Sequence, residues 1–154
     1  KLIGEKETGK ENYTATFDVP YEPGTLKAVN SKGKEEFVLK TAGEPAAIRL
    51  IADRSKIKAC KNDLSYVKIE LVDKNGNVVP ETSLPVKIEC TGKGTVIAGG
   101  NAAYADMESF RSLTPNTFRG KAIAIVQPDG EKGDIQVKVS AKGLEDASIV
   151  ITTY

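Results

Sequence analysis

Carboxylates are the groups in this 154-residue chain best able to do chemistry. Asp106 and Glu108 lie two residues apart within the stretch Gly99–Phe110, and Asp129, Glu131 and Asp134 crowd the segment ahead of Ile135. A glycosidase works with two carboxyls about 5–9.5 Å apart, one of them in a pocket that raises its pKa. Spacing alone supplies no such pocket, and with 21 Asp and Glu in the chain, charged loop residues read as solvated surface. Composition excludes other devices. There is no His, which removes the Ser-His-Asp and Cys-His nucleophile systems, and two Cys cannot complete a Cys/His zinc site. No stretch matches G-x-G-x-x-G opening a helix or G-x-x-x-x-G-K-[ST]. Asp73-Lys74-Asn75-Gly76-Asn77 is only faintly like a calcium loop, because the glycine comes too early and the twelfth position is Leu84. The residues therefore imply no catalytic site, no metal and no cofactor.

Sugar binding needs aromatic faces on which a pyranose can stack. Tyr21, Tyr66, Tyr104, Phe110 and Tyr154 are the supply, and Trp is absent. Tyr66 and Phe118, at alternating strand positions, read as packing residues. Tyr104 sits among small and polar residues, so Tyr104, Asp106 and Glu108 are the candidate glycan contacts. A net charge of +1 gives no basic footprint for nucleic acid. The longest apolar run, Ala122–Val126, has the length of a buried strand and falls far short of the ~18 residues of a membrane span. Neither nucleic acid nor membrane is an expected partner. Asn12-Tyr13-Thr14 fits the glycosylation sequon, which matters only in a eukaryotic secretory setting.

The elements that must position these residues are short and mostly two-fold in period. Tyr66–Val72, Val86–Cys90 and Ile135–Val139 alternate apolar with polar residues, as half-buried strands do. Asn75-Gly76 suits a type I′ hairpin, and Lys32-Gly33, Gly92-Lys93-Gly94, Gly99-Gly100 and Lys142-Gly143 punctuate the rest. No stretch carries a helical stripe. Many short strands without intervening helices predict an all-β fold, an immunoglobulin-like Greek-key β-sandwich. The small, turn-prone stretch Lys40–Ala47 reads as a linker, with candidate strands Thr14–Val19, Gly24–Val29 and Glu36–Lys40 before it and seven or eight after it. Val19-Pro20 through Thr41 parallels Val126-Gln127-Pro128 through Thr152 in its order of turns and strands. Residues 1–43 are thus expected to be the closing strands of a truncated sandwich, and 44–154 a complete one. Lys1 is no initiator and the residues after it form no signal peptide, so the chain reads as a piece of a longer protein. Unpartnered strands in 1–43 would be mobile, pack on the second domain, or form a dimer with another copy. In an immunoglobulin-like order Cys60 and Cys90 fall at one end of the sandwich on facing sheets. A disulfide between them is conceivable at a Cα separation under about 7 Å, and two free thiols acting as small hydrophobes are the alternative.

A resemblance adds to this reading. Thr14–Val29, Leu39–Leu50, Asp63–Val67, Val72–Pro80, Gly99-Gly100-Asn101, Glu108-Ser109-Phe110 and Phe118–Ala122 together resemble the accessory region near the C-terminus of bacterial glycoside hydrolase family 2 enzymes, usually called β-galactosidases. The resemblance implies a fragment without catalytic residues, since the family's acid/base and nucleophile glutamates reside on an upstream (β/α)₈ barrel and nothing here matches them. It implies that the partners are the upstream domains of the parent glycosidase, and a periplasmic or extracellular location. After Gly99-Gly100-Asn101 relatives commonly continue Gly-Asp-Pro and then a His, where this chain reads Ala102-Ala103-Tyr104-Ala105-Asp106-Met107, so no ligand role carries over to that loop. The expected function is a non-catalytic β-sandwich module that supports the enzyme or borders its substrate cleft. The rivals are a carbohydrate-binding module and an adhesin-type spacer, which share the fold.

Overall fold

The computed structural model describes residues 1–9, 13–31, 33 and 35–154. These form two compact units, Lys1–Thr41 and Ala42–Tyr154. Asn12 of the sequon, with Lys32 and Lys34 of the first glycine turn, lies outside the described residues.

In the first unit, β1 (Thr25–Val29) and β2 (Glu36–Lys40) pair antiparallel, with Leu26 opposite Leu39 and Ala28 opposite Phe37. The open end is closed by Thr41 N–H donating to Gly24 O (2.8 Å) and Gly24 N–H donating to Thr41 Oγ1 (2.9 Å). Both faces of this hairpin are exposed. The third strand expected over Thr14–Val19 does not form. Its carbonyls are used locally: Thr14 O accepts from Gly9 N–H (3.1 Å) and Thr16 O from Lys6 Nζ (2.5 Å), while the Lys6 ammonium sits 5.1 Å from the centre of the Phe17 ring.

The second unit contains β3 (Ala47–Ala52), β4 (Lys56–Ile57), β5 (Ser65–Val72), β6 (Lys87–Gly92), β7 (Gly94–Gly100), β8 (Lys121–Pro128), β9 (Gly133–Ser140) and β10 (Ala147–Thr153). They make two four-stranded sheets, ordered β3-β5-β8-β7 and β4-β10-β9-β6. All pairs are antiparallel except β4 with β10. In immunoglobulin lettering these are A-B-E-D and A′-G-F-C, the Greek-key sandwich. The two-residue period builds the core: Val67, Ile69 and Leu71 of β5 and Ile135, Val137 and Val139 of β9 are completely buried. The apolar run on β8 is split by the same period. Ala122, Ala124 and Val126 point inward and are buried, whereas Ile123 is 38% exposed and Ile125 half-buried on the outer face. Tyr66, expected from sequence to pack in the core, is also outward and 42% exposed, because it shares its face with Lys68 and Glu70.

Two turns differ from expectation. At Asn75-Gly76 only the glycine is left-handed (φ 79°); Gly76 N–H donates to Asp73 O (3.0 Å) and Asp73 N–H to Asn77 O (2.9 Å), which makes a longer, bulged turn in place of type I′. The two-residue turn with positive φ at both positions is Arg119-Gly120 (51° and 69°), where Phe118 and Lys121 exchange backbone hydrogen bonds of 2.8 and 3.0 Å. A Cβ at Gly120 would lie 2.4 Å from Val79 O, so this turn admits only glycine there.

The cysteines are free thiols. Cys60 follows β4 and Cys90 lies on β6, and these strands are the two edges of one sheet instead of members of facing sheets. Three strand spacings, about 14 Å, separate the edges, beyond the reach of a disulfide.

Candidate functional site

The loop from β7 to β8 holds the candidate residues. Gly99 N–H donates to Phe110 O (2.7 Å), and the Phe110 ring covers Gly100, where a Cβ would come within 2.6 Å of its Cδ1. Asn101 organises the interior of the loop: its Oδ1 accepts from Ala103 N–H (2.7 Å), and its Nδ2 donates to Asn116 O (2.9 Å) and to Asp106 Oδ2 (2.5 Å). Asp106 Oδ1 accepts from Glu108 N–H (2.9 Å). Both Glu108 oxygens accept from Asn116, Oε1 from Nδ2 (2.6 Å) and Oε2 from the backbone N–H (3.3 Å). The two carboxylates are therefore brought into one loop and act there as acceptors that fix its path. The depression beside them has a cavity volume of only about 20 Å³ and is lined by Asn101, Asp106, Glu108 and Phe110 among others. Ligand pockets run from about 300 to 1,000 Å³ and enclose what they bind. Tyr104 stands outside, 99% exposed, with Met107 at 94%.

The second acidic group is not gathered into a pair. Glu131 forms an ion pair with Lys93, Asp129 Oδ1 accepts from Glu131 N–H (2.9 Å), and Asp134 Oδ1 accepts from Thr152 Oγ1 (2.9 Å). Asp73, the first residue of the faint calcium-like string, is saturated by the turn together with Gly43. Gly43 N–H and Asn77 Nδ2 donate to Oδ2 (2.9 and 3.1 Å), and Asn75 and Asn77 N–H donate to Oδ1 (2.9 and 2.8 Å). The Gly43 bond leads these in holding its carboxyl down at about 2. Among the described residues no group of three or more His, Cys, Asp or Glu is placed to hold a metal ion. Burial pushes the Cys90 thiol up, and its Sγ lies 3.6 Å from Gly94 O.

Sequence reasoning misses one charged group. Glu70 is 3% exposed on the outer face of β5, with Oε2 accepting from Arg49 Nε (2.9 Å) and its terminal nitrogen (2.6 Å), and Oε1 3.2 Å from Lys68 Nζ. Burial raises its pKa, but the hydrogen bonds from Arg49 and Lys68 outweigh it and leave the carboxyl below its ordinary value. The β5 alternation marks Glu70 as outward; only the β3–β5 register reveals that Arg49 stands opposite it.

Residues 48–150, nearly the whole sandwich, match the model described as glycoside hydrolase family 2 C-terminal domain 5. The chain belongs to that family. Residues 1–37 match a domain of unknown function (DUF4982). Among curated relatives, β-galactosidase BoGH2A of Bacteroides ovatus is 32% identical over 99% of this chain, and a β-galactosidase of Thermoanaerobacter pseudethanolicus 30% identical over 75%. The crystal structure of a glycosyl hydrolase family 2 member from Bacteroides cellulosilyticus superposes with a TM-score of 0.87 over 97% of the chain at 37% identity. The chain spans 18% and 16% of the two curated relatives and 21% of that crystallised chain, in keeping with a family 2 C-terminal domain.

Proposed function

We infer that this chain is the non-catalytic C-terminal β-sandwich module of a β-galactosidase-like family 2 glycoside hydrolase, supporting the enzyme or bordering its substrate cleft. The observation that carries the reading is the engagement of Asp106 and Glu108 by Asn101, Asn116 and the loop backbone, which makes them part of the loop's framework. Family membership supports a glycosidase as the parent. The chain on its own is expected to release no product from aryl β-galactosides, while the full-length polypeptide does. Turnover by the chain that disappears in Asp106→Asn or Glu108→Gln would overturn this. A periplasmic or extracellular setting goes with the reading on the strength of the sequence resemblance, and fractionation of the source cells checks it.

A second reading, carbohydrate binding, is favoured by one observation: Tyr104 is a fully exposed aromatic on the loop that carries Asp106 and Glu108. Calorimetric titration with polysaccharide decides it, since binding heat lost in Tyr104→Ala would establish the role.

A further inference from the structure

The two outer faces of the sandwich differ in kind. On the β4-β10-β9-β6 sheet the outward residues include Lys87, Glu89, Gln136, Lys138 and Ser148, with ion pairs Lys87–Glu89 and Lys138–Asp146 at 2.8 Å. Val150 is the one large apolar side chain exposed on that sheet among the described residues. The β3-β5-β8-β7 sheet also carries charge, in Arg49, Lys68, Glu70 and Lys121, but it exposes several large apolar side chains beside them. Register sets Ile51 beside Lys68, Lys68 beside Ile123, and Ile123 beside Gly100, which Phe110 covers. In the next row Tyr66 stands beside Ile125 and Ile125 beside Ala98, with Ile97 bulged out of the ladder. Ile97 and Ile123 are 38% exposed, Ile51 40%, Tyr66 42% and Phe110 68%. At ordinary residue areas these five leave about 400 Å² of largely apolar surface, inside the range of the largest patch on a typical monomer.

We propose that this sheet face, together with Met107 and Phe110 of the neighbouring loop, docks another domain of the same glycosidase polypeptide. The proposal rests on the module reading above and names the surface through which the module is held. Area favours a tethered neighbour. Contacts between domains of one chain bury about 600–1,500 Å² in total, which a patch of this size on each side supplies, whereas free partners need about 800 Å² apiece. A tether makes up the difference by raising the effective concentration. Most of each curated relative's length lies outside the stretch matched here, so there is chain in those proteins to occupy such a face. The charges also have a sign: Arg49 and Lys121 border the patch, Lys68 rises within it between Ile51 and Ile123, and Glu70 is already buried against Arg49 and Lys68. The surface that fits it is apolar and edged with carboxylates.

Hydroxyl-radical footprinting of the full-length polypeptide and of the 154-residue chain alone tests this, with Met107, the one methionine, as a single-site probe. Labelling of Tyr66, Met107 and Phe110 is expected to fall about fivefold in the full-length form, as side chains moved into an interface core do, while Val150 and Tyr154 change less than about twofold. Ile123→Lys with Ile125→Lys in the full-length form should restore labelling at Tyr66 and Met107, and Val150→Lys should not. Equal labelling of the two wild-type forms overturns the proposal. So does protection in the chain alone that grows with its concentration, which identifies a second copy, or protection that appears only with added polysaccharide. Aryl galactosidase activity of the full-length form is measured beside the footprint. An active enzyme with an unprotected patch overturns the docking and leaves the module reading standing; an inactive polypeptide with a protected patch supports the docking and overturns that reading.

Discussion

At the scale of single residues, Asp73 shows how one side chain holds a segment the ladders do not reach. It accepts from Gly43, Asn75 and Asn77, so it fastens the start of the sandwich to the turn after β5. Removing it leaves three backbone N–H groups without that acceptor. Asp73→Ala is expected to lower the thermal midpoint on the order of 5 °C at neutral pH, measured by circular dichroism. The pH dependence has a definite sign. The folded carboxyl sits at about 2 against an ordinary 3.8, so its stabilisation is complete above the ordinary value and is lost as pH falls from there to about 2. The gap between wild type and variant should therefore close over that acidic window, and a gap independent of pH would contradict the assignment. The sequence alone offers Asp73 as either a turn residue or a calcium ligand; four donors on two oxygens decide for the turn.

At the scale of elements, the two-residue period carries most of what is legible. It marks β5, β6 and β9 and the inward sets Val67-Ile69-Leu71 and Ile135-Val137-Val139, because each strand has one face in a core and one outside. It misleads where side-chain identity is weighed above phase: Tyr66 reads as packing although it shares phase with Lys68, and Ile123 and Ile125 look buried because their neighbours are apolar too. Turn chemistry is legible only where the residues advertise it. Arg119 gives no signal of a left-handed position, and the demand for glycine at 120 comes from Val79 O, a neighbour distant in sequence. These placements lead to two measurements. Ile69→Ala, on the core face, should cost about 2–5 kcal/mol in denaturant titration, and Ile123→Ala, outward on the next strand, under about 1 kcal/mol in this chain. Gly120→Ala should cost about 1–3 kcal/mol, because the added Cβ both meets Val79 O and sits at a positive φ.

At the scale of the whole molecule, topology corrects what local patterns suggest about the cysteines, since sheet order is a long-range property that no window of sequence contains. It also sets the two units apart in self-sufficiency. The 42–154 unit has both sheets and a continuous core, so deleting residues 1–41 should leave its thermal midpoint within about 2 °C. The N-terminal hairpin has no second layer among its own described residues. Phe37 is 67% exposed, Leu39 54%, Val29 51% and Leu26 43%, and a two-stranded sheet with apolar side chains in water is marginal alone and offers two unpaired edges. Such an edge is expected to pair with a second copy of the 154-residue chain. Sedimentation velocity at about 100 µM should show dimer for the 154-residue chain and monomer for residues 42–154, an association of the modest strength that short edge pairing gives. Phe37→Ser with Leu39→Ser should abolish the dimer without moving the sandwich's midpoint. Association that survives the deletion would assign it to the sandwich itself, and with it the apolar face of the β3-β5-β8-β7 sheet would become the contact between copies.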